Sequence, residues 1–338
     1  MLHIKMRSFA ICTQIACIRR KGDSMCKITA VILAYRPDEK LKMIVSRLKA
    51  QTVIPDEILI MHTVDEGVND TEPEWAYDME NVTVEKVKKA EFDHGGTRDK
   101  AVQLCEDSDY VLFMTQDAIP KNRKLTEYLM EALNADTETN AVAYARQEPD
   151  KGCNIIERYT RSFNYPDEPH SGLERAAETN NGIKAIFCSD VCAMYNKKLY
   201  NEIGGFPGKA IFNEDMVFAG KALKADKDVI YEPRAVVIHS HNYSGVEYFK
   251  RYFDLGVSHA EFDYILKDYH SGEEGIRLVR ETAKFLIRRK QYIMLIPLGY
   301  YSGLKLIGMK LGKMYKKLPK RVVEACTMNK GYWKKDWN

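Results

Sequence analysis

The chain has 338 residues, of which 45% are hydrophobic and 10% aromatic, so it can bury a large core and is not a disordered protein. Its eight cysteines are scattered without a C-x-x-C pair, which argues against a zinc cluster or a disulfide framework and favours a reducing compartment. The net charge of +3 conceals an asymmetry, because residues 284–321 contain eleven Lys or Arg and no Asp or Glu.

The N-terminus has a basic start and a short apolar run, as signal peptides do. Thr13 and Gln14 interrupt this run, and IRRKGD follows where a small-residue cleavage site would be needed. We therefore predict that residues 1–26 are an extension outside the fold and that the protein is cytoplasmic.

Strand and helix patterns alternate from Lys27 onward. The apolar run Ile28 to Tyr35 predicts a strand, Pro37 and Asp38 open a helix through Ala50, and Glu57 to His62 predicts the next strand. Further strands are predicted at 82–87, 110–114 and 141–145, with helices around 97–106 and 123–134. Apolar strands separated by helices predict an α/β fold with a mostly parallel sheet covered on both faces.

One acid, Asp117, follows the predicted strand in FMTQDAIP, residues 113–120. Open parallel sheets bind ligands beyond the carboxyl ends of their strands. The alternative is that Asp117 only caps the helix that follows Pro120.

Two further groups of polar residues lie about a hundred residues later. Glu214 and Asp215 begin a helix after a flexible Gly-Gly segment, where acids can also serve as simple partners of the helix dipole. His239 and His241 follow another apolar strand and, at a period of two, share one face.

Six segments carry a resemblance to a known family. In chain order they are VILAYRP, FDHGGTRDKAV, FMTQDAIP, FCSDVCAMYNKKLYNEIGGF, FNEDMVFAGKAL and VIHSHNYS. As a set they resemble the inverting glycosyltransferases of family two, which have the GT-A (nucleotide-diphospho-sugar transferase) fold. Within that family they are most similar to the rhamnosyltransferase-like group that builds bacterial surface polysaccharides. The resemblance spans residues 28–260 and implies a GT-A domain over 27–262.

The resemblance implies a metal site. Thr115-Gln116-Asp117 keeps only the second acid of the family's DxD motif, and His239 resembles the family's C-terminal histidine ligand. Asp117, His239 and the diphosphate oxygens of a nucleotide-sugar donor would then hold Mn²⁺ or Mg²⁺, and an imidazole ligand favours Mn²⁺.

The remaining roles also follow from the resemblance. Asp215 is the expected base, with Glu214 sharing the task or exchanging it. Asp190 either binds acceptor hydroxyls or is a buried structural acid. Donor contacts are expected from the strand ends and from the DHGGTR turn, namely Ala34, Tyr35, Arg36, Asp65, Gly95, Gly96, Arg98 and Gln116. For the two glycines and Arg98 the alternative is a plain turn with a surface arginine.

Residues 263–338 are predicted to form a helical, basic appendage. From Leu304 to Leu318, apolar residues fall on one arc of a helical wheel and lysines on the other, which is typical either of membrane-surface attachment or of a helix packed on the catalytic domain. The preceding apolar run is interrupted by Pro297 and Gly299 and is too short to span a bilayer. Nothing accompanying the basic patch indicates nucleic-acid binding.

Together these predictions imply transfer of L-rhamnose from dTDP-L-rhamnose to a growing, lipid-linked surface glycan. The alternatives are a UDP-hexose donor on the same fold, or a non-catalytic scaffold subunit. No sequence feature specifies an oligomeric state.

Overall fold

A computed structural model describes residues 26–65, 72–270 and 272–334. All but the last residue of the predicted N-terminal extension therefore lies outside the described residues. The strands are β1 Ile28–Tyr35, β2 Glu57–Val64, β3 Val82–Lys88, β4 Tyr110–Thr115, β5 Ile119–Pro120, β6 Asn140–Glu148, β7 His170–Ser171, β8 Cys192–Asn196 and β9 Asp228–Ile238.

The helices alternate with these strands as far as β9 and then continue alone. They are α1 Glu39–Lys49, α2 Glu74–Tyr77, α3 His94–Leu104, α4 Leu125–Asn134, α5 Ile155–Asn164, α6 Gly172–Thr179, α7 Lys197–Ile203, α8 Glu214–Lys224, α9 Gly245–Glu261, α10 Asp263–Leu266, α11 Gly272–Arg288, α12 Leu295–Lys313 and α13 Lys320–Cys326.

The predicted first strand agrees with β1 at both ends. The helix predicted after it begins where expected, because the carboxylate of Asp38 accepts a hydrogen bond from the backbone N–H of Lys40 at 2.9 Å. Later helices shift by a few residues: α3 begins at His94 rather than Thr97, because Asp93 caps it by accepting from the Gly96 N–H.

All nine strands form one sheet in the order β3-β2-β1-β4-β8-β6-β9-β5, and β7 pairs with β9. β1 to β4 are parallel, β6 and β9 are parallel, and β8 runs antiparallel between β4 and β6. The carboxyl ends of β1, β4, β6 and β9 therefore meet the amino end of β8 at one edge. The predicted α/β fold with helices on both faces is confirmed.

The sheet is covered by one apolar cluster on each face. Alternate strand residues divide between the clusters: Phe113 packs with α3 and α8, whereas Leu112 and Met114 pack with α1 and α4. Burial on both faces explains why the strands read as continuous apolar runs.

The C-terminal helices pack on α9. The backbones of α9 and α12 are so close that a Cβ atom added at Gly312 would lie 2.0 Å from the carbonyl oxygen of Phe253, and one at Gly256 would lie 2.4 Å from that of Met309. A third apolar cluster joins α9 to the end of the chain through Phe253, Val257 and Val323, among others. The predicted domain boundary at 262 stays a prediction.

The single helix predicted from Leu304 to Leu318 is wrong in its bounds. α12 runs from Leu295 to Lys313, and a separate 3₁₀ turn follows at Tyr315–Lys317. Pro297 falls in the first turn of α12, where its missing N–H has no helical partner to lose. Within the described part of the chain, no helix combines the length and hydrophobicity that a membrane span requires.

Candidate active site

A cavity of about 600 Å³ opens at the sheet edge where the strand ends meet. Nine of the predicted site residues line it: Ala34, Tyr35, Arg98, Gln116, Asp117, Asp190, Glu214, Asp215 and His239. A larger cavity of about 1380 Å³ is lined by α6, α10 and α11 and contains none of them. The chemistry therefore belongs to the smaller cavity.

Asp117, His239 and His241 form a compact cluster in this cavity. The Nε2 atoms of His239 and His241 lie 3.5 and 3.4 Å from Oδ2 of Asp117. One potential ligand atom from each side chain lies within 4.8 Å of the others. His241 was recognised from the sequence only as a neighbour of His239 on the same face, and the structure adds it to the cluster.

Gln147, at the end of β6, orients His239. Nδ1 of His239 lies 2.9 Å from Oε1 of Gln147, an atom that can only accept, so this nitrogen carries the proton. The amide orientation is fixed in turn, because Nε2 of Gln147 donates to Ser189 at 2.9 Å and Arg161 donates to Oε1. The lone pair of His239 Nε2 therefore faces Asp117, as in histidine metal ligands.

The charges in the cluster suit a cation. Burial lowers the pKa of His241 to about 4 and also lowers the pKa of His239, so both imidazoles are neutral near pH 7. Burial alone would raise the pKa of Asp117, but His239, which is protonated in the acidic range where Asp117 would titrate, and the Thr115 hydroxyl, which donates at 2.8 Å, hold that pKa well below its usual range. One carboxylate and two neutral imidazoles are ligands that Mn²⁺ accepts readily, and the donor set fits such an ion.

Arg98 lies inside the protein between two acids. Its Nε is 3.0 Å from Oδ2 of Asp190 and its NH1 is 3.0 Å from Oε1 of Glu214, and all three side chains are at most 5% exposed. Asp190 also accepts from the hydroxyl of Tyr195 at 2.6 Å. Of the two roles left open for Asp190, the geometry corresponds to the buried structural acid. The phosphate contact predicted for Arg98 has no support in this geometry, because its charge is already paired.

Removal of Arg98 should therefore destabilise the fold. In Arg98→Leu the carboxylates of Asp190 and Glu214 remain buried without a cation, which typically costs about 3–5 kcal/mol. We expect a lower free energy of unfolding in urea titrations. Arg280→Leu is the matched control, since Arg280 is 63% exposed on α11 and should change stability by less than about 0.5 kcal/mol. Equal stability of Arg98→Leu and Arg280→Leu would contradict the structural role.

Asp215 differs from Glu214 although the two are adjacent. It is partly exposed, and its oxygens accept from the backbone N–H groups of Met216 at 2.7 Å and Asp190 at 3.2 Å. Burial, followed by the charges of Glu214 and Asp190, raises its pKa well above the usual value. It is thus an acid held by backbone donors, with a raised pKa, on the cavity wall.

The end of β1 is tied to neighbouring elements. Gln116 exchanges two hydrogen bonds with the backbone of Tyr35, at 2.9 and 2.8 Å, which joins the ends of β1 and β4. The Tyr35 hydroxyl donates to Asp65 at 3.1 Å, and Asp65 also pairs with Lys89 and, at 3.7 Å, with Arg36. Arg36 and Asp65 thus lie beside Tyr35, and neither is among the residues that line the cavity.

The two glycines of the DHGGTR turn contact protein backbone. A Cβ atom added at Gly95 would lie 2.1 Å from the carbonyl oxygen of Pro207, and one at Gly96 would lie 2.8 Å from that of Gly208. The close approach that the sequence indicates is therefore between α3 and the 207–208 segment. The donor contact predicted for these glycines is not supported.

Two cavity residues were missed in the sequence. Gln147 lies near the end of β6 without any local motif, and Arg251 lies on α9, beyond the segments that carry the family resemblance most clearly. The guanidinium of Arg251 lies over the rings of Phe212, at 4.6 Å, and Tyr243, at 5.7 Å, which places a positive charge in the lining of the cavity.

The cavity lies at the carboxyl strand ends of the sheet, and its lining contains both a carboxylate and histidine cluster and a partly exposed acid at a helix start. This arrangement is that of a GT-A glycosyltransferase. The family model "Glycosyl transferase family 2" matches residues 29–204. The chain belongs to glycosyl transferase family 2, which confirms the family resemblance of the sequence motifs.

Similar proteins cover almost the whole chain. O-antigen chain rhamnosyltransferase RfbN of Salmonella typhimurium is 34% identical over 314 residues, 91% of this chain and 96% of the relative. O-antigen chain rhamnosyltransferase WbaN of Salmonella anatum is 35% identical over 290 residues, 84% and 88% of the two chains. Among solved structures, the mannosyltransferase PcManGT of Pyrobaculum calidifontis in complex with GDP-Man and Mn²⁺ has a TM-score of 0.56 at 13% identity, over 91% and 94% of the chains. At that identity the likeness shows the GT-A fold alone.

Proposed function

We propose that this glycosyltransferase moves L-rhamnose from dTDP-L-rhamnose to a surface-polysaccharide acceptor, with inversion at the anomeric carbon. The observation that carries the reaction type is the placement of the Asp117 cluster and Asp215 in one cavity. The choice of sugar is supported by the two O-antigen rhamnosyltransferases that cover nearly the whole chain.

Asp117, His239 and His241 would hold Mn²⁺ or Mg²⁺. Such an ion, when bound, neutralises charge on the diphosphate that leaves with the nucleotide. Gln147 keeps the Nε2 lone pair of His239 directed at the cluster. The absent first acid of the DxD motif does not leave the site incomplete, because the second histidine supplies a third ligand atom. This removes the reason for the scaffold alternative.

We assign to Arg251, instead of Arg98, the role of the cation that contacts the donor diphosphate. It lies in the same cavity as the cluster, and its planar guanidinium can donate two parallel hydrogen bonds to phosphate oxygens. Tyr35 and Ala34 at the end of β1, with Gln116 and Asp65 beside them, remain our assignment for the nucleoside end.

Asp215 is our assignment for the base. An inverting transfer needs a carboxylate that takes the proton from the acceptor hydroxyl, and a raised pKa makes the Asp215 carboxylate a stronger base for this step. Glu214 is less suited, because its carboxylate is almost fully buried and paired with Arg98. We therefore assign Glu214 to the support of the helix start and Asp215 to the proton transfer.

Release of nucleoside diphosphate from a panel of donors tests the substrate. The purified full chain is incubated with Mn²⁺, an acceptor glycan prepared from a rhamnose-containing polysaccharide, and dTDP-rhamnose, UDP-glucose, UDP-galactose or GDP-mannose. We expect acceptor-dependent release from dTDP-rhamnose alone. Faster release from a UDP-hexose would change the proposed donor but not the proposed mechanism. No release from any donor, with the acceptor and metal present, would contradict the proposal.

A further inference from the structure

The outer face of α12 and the turn before it expose a continuous apolar stripe. Ile293, Ile296, Tyr300 and Ile307 are 71%, 74%, 59% and 51% exposed, and their spacing places the three residues within α12 on one side of the helix. Gly303 lies on the same side, with no atom within 4 Å of the position a Cβ would take. Four large exposed apolar groups along one line are unusual for a surface that faces only water.

The opposite side of α12 explains why this stripe points outward. Gly308 and Gly312 press against the backbone of α9, where added Cβ atoms would lie 2.4 Å from the Phe249 carbonyl and 2.0 Å from the Phe253 carbonyl. Contact this close fixes the rotation of α12 about its axis. The stripe is consequently held rigidly on the surface.

The segment of the chain that carries the stripe has only positive charges. The end of α11 and the turn after it expose Arg288, Arg289 and Lys290, and the far end of α12 exposes Lys310 and Lys313. Residues 284–321 contain no Asp or Glu that could offset these charges. Association of two copies through the stripe would bring these bases together, which like-charge repulsion opposes.

From the stripe and its basic border we infer that the α11–α12 surface inserts into the interfacial region of an anionic lipid bilayer. Isoleucine and tyrosine side chains enter the boundary between headgroups and acyl chains, and the flanking Lys and Arg contact anionic headgroups. The inference concerns binding to lipid and does not require the proposed donor or acceptor.

The orientation that results places the reaction at the membrane. On its inner side α12 carries Lys305, which lines the catalytic cavity and lies 4.2 Å from the ring centroid of Tyr248 on α9. The same helix thus contacts the bilayer on one side and the cavity on the other. If the proposed function holds, a lipid-linked acceptor would reach Asp215 without leaving the membrane surface.

Flotation of the full chain on lipid vesicles, without nucleotide-sugar, tests the inference. Vesicles contain either phosphatidylglycerol with phosphatidylcholine or phosphatidylcholine alone. We expect the wild-type protein to float with the anionic vesicles, and Ile296→Glu/Ile307→Glu to bind them at least about tenfold more weakly, because each change places a carboxylate in the apolar boundary. Ile54→Glu is the matched control, since Ile54 is 55% exposed in the segment between α1 and β2, and it should bind as the wild type does.

Three outcomes would overturn the inference. The first is equal vesicle binding by wild type and Ile296→Glu/Ile307→Glu. The second is loss of binding by Ile54→Glu to the same extent. The third is a wild-type dimer in light scattering that Ile296→Glu/Ile307→Glu dissociates while neither protein floats, which would assign the stripe to a second copy of the chain. Thermal unfolding of each variant establishes that it is folded.

Discussion

Asp117→Asn is expected to abolish metal-dependent transfer while the fold is retained. Asparagine keeps an oxygen that can accept from the Thr115 hydroxyl, but it removes the negative charge that faces His239 and His241. Changing a group that only orients a metal ligand typically costs 10- to 100-fold in affinity or activity, so loss of the only carboxylate in the cluster should cost more than about 10²-fold. Nucleoside diphosphate release at limiting Mn²⁺ measures this loss.

A direct measure of the ion separates metal binding from chemistry. Free Mn²⁺ has an electron paramagnetic resonance signal that falls on binding, so a titration gives the affinity of wild type and variant without any turnover. Asp38→Asn is the matched control, because Asp38 caps α1 near the same sheet edge and asparagine caps a helix equally well. If the Asp117→Asn protein binds Mn²⁺ as tightly as the Asp38→Asn protein and its activity is unchanged, Asp117 is not a ligand of the metal site.

The sheet and its ligand edge could be predicted from sequence because the signals are local. Ile28 to Tyr35 is an almost continuous apolar run, and the next strand in the chain, β2, is also its neighbour in the sheet. The antiparallel insertion of β8 between β4 and β6 has no such signal, since it is set by pairing of residues far apart in the chain. Its effect on the site is nevertheless small, because its amino end reaches the edge where the parallel strands finish.

The partners of charged residues were much harder to predict. Arg98 follows two glycines at a helix start, a pattern that favours a phosphate site, but Asp190 and Glu214 approach it from other elements and take up its charge. The glycine pattern likewise indicates a close approach without indicating to what. In the structure the approaching group is the backbone at Pro207 and Gly208.

The histidine cluster could be predicted only in part from the sequence. The sequence shows that His239 and His241 are two residues apart and so share one face of the chain. Whether both side chains reach Asp117 depends on the register between β5 and β9, which the sequence does not show. Ile119 pairs with Ile238 in that register, so the residues just before β5 lie beside those just after β9. A strand pairing that contains only two residues of β5 therefore decides the composition of the proposed metal site.

Asp215→Asn is expected to reduce transfer by roughly 10²- to 10⁴-fold, the range for a positioned base, while donor and Mn²⁺ bind nearly as before. The amide keeps an oxygen for the Met216 N–H but loses the acceptor for the Asp190 N–H, and it removes a charge that Glu214 and Asp190 repel, so the melting temperature should stay close to that of the wild type. Calorimetry with dTDP and Mn²⁺ measures binding, and single-turnover transfer isolates the chemical step.

The pH dependence distinguishes a base from a residue that only supports the helix. Because the pKa of Asp215 is raised, its carboxylate form, which alone can take a proton, becomes populated as pH rises through that pKa. Wild-type kcat/KM should therefore increase with pH along an acidic limb that lies well above the usual aspartate range, and Asp215→Asn should lose this limb. Glu214→Gln, which alters the partner of Arg98, should lower stability while it retains the limb and most of the activity. If the Glu214→Gln protein is inactive and the Asp215→Asn protein is active, Glu214 is the base and Asp215 supports the helix start. Full activity in both variants would refute direct base-assisted inversion at this helix start.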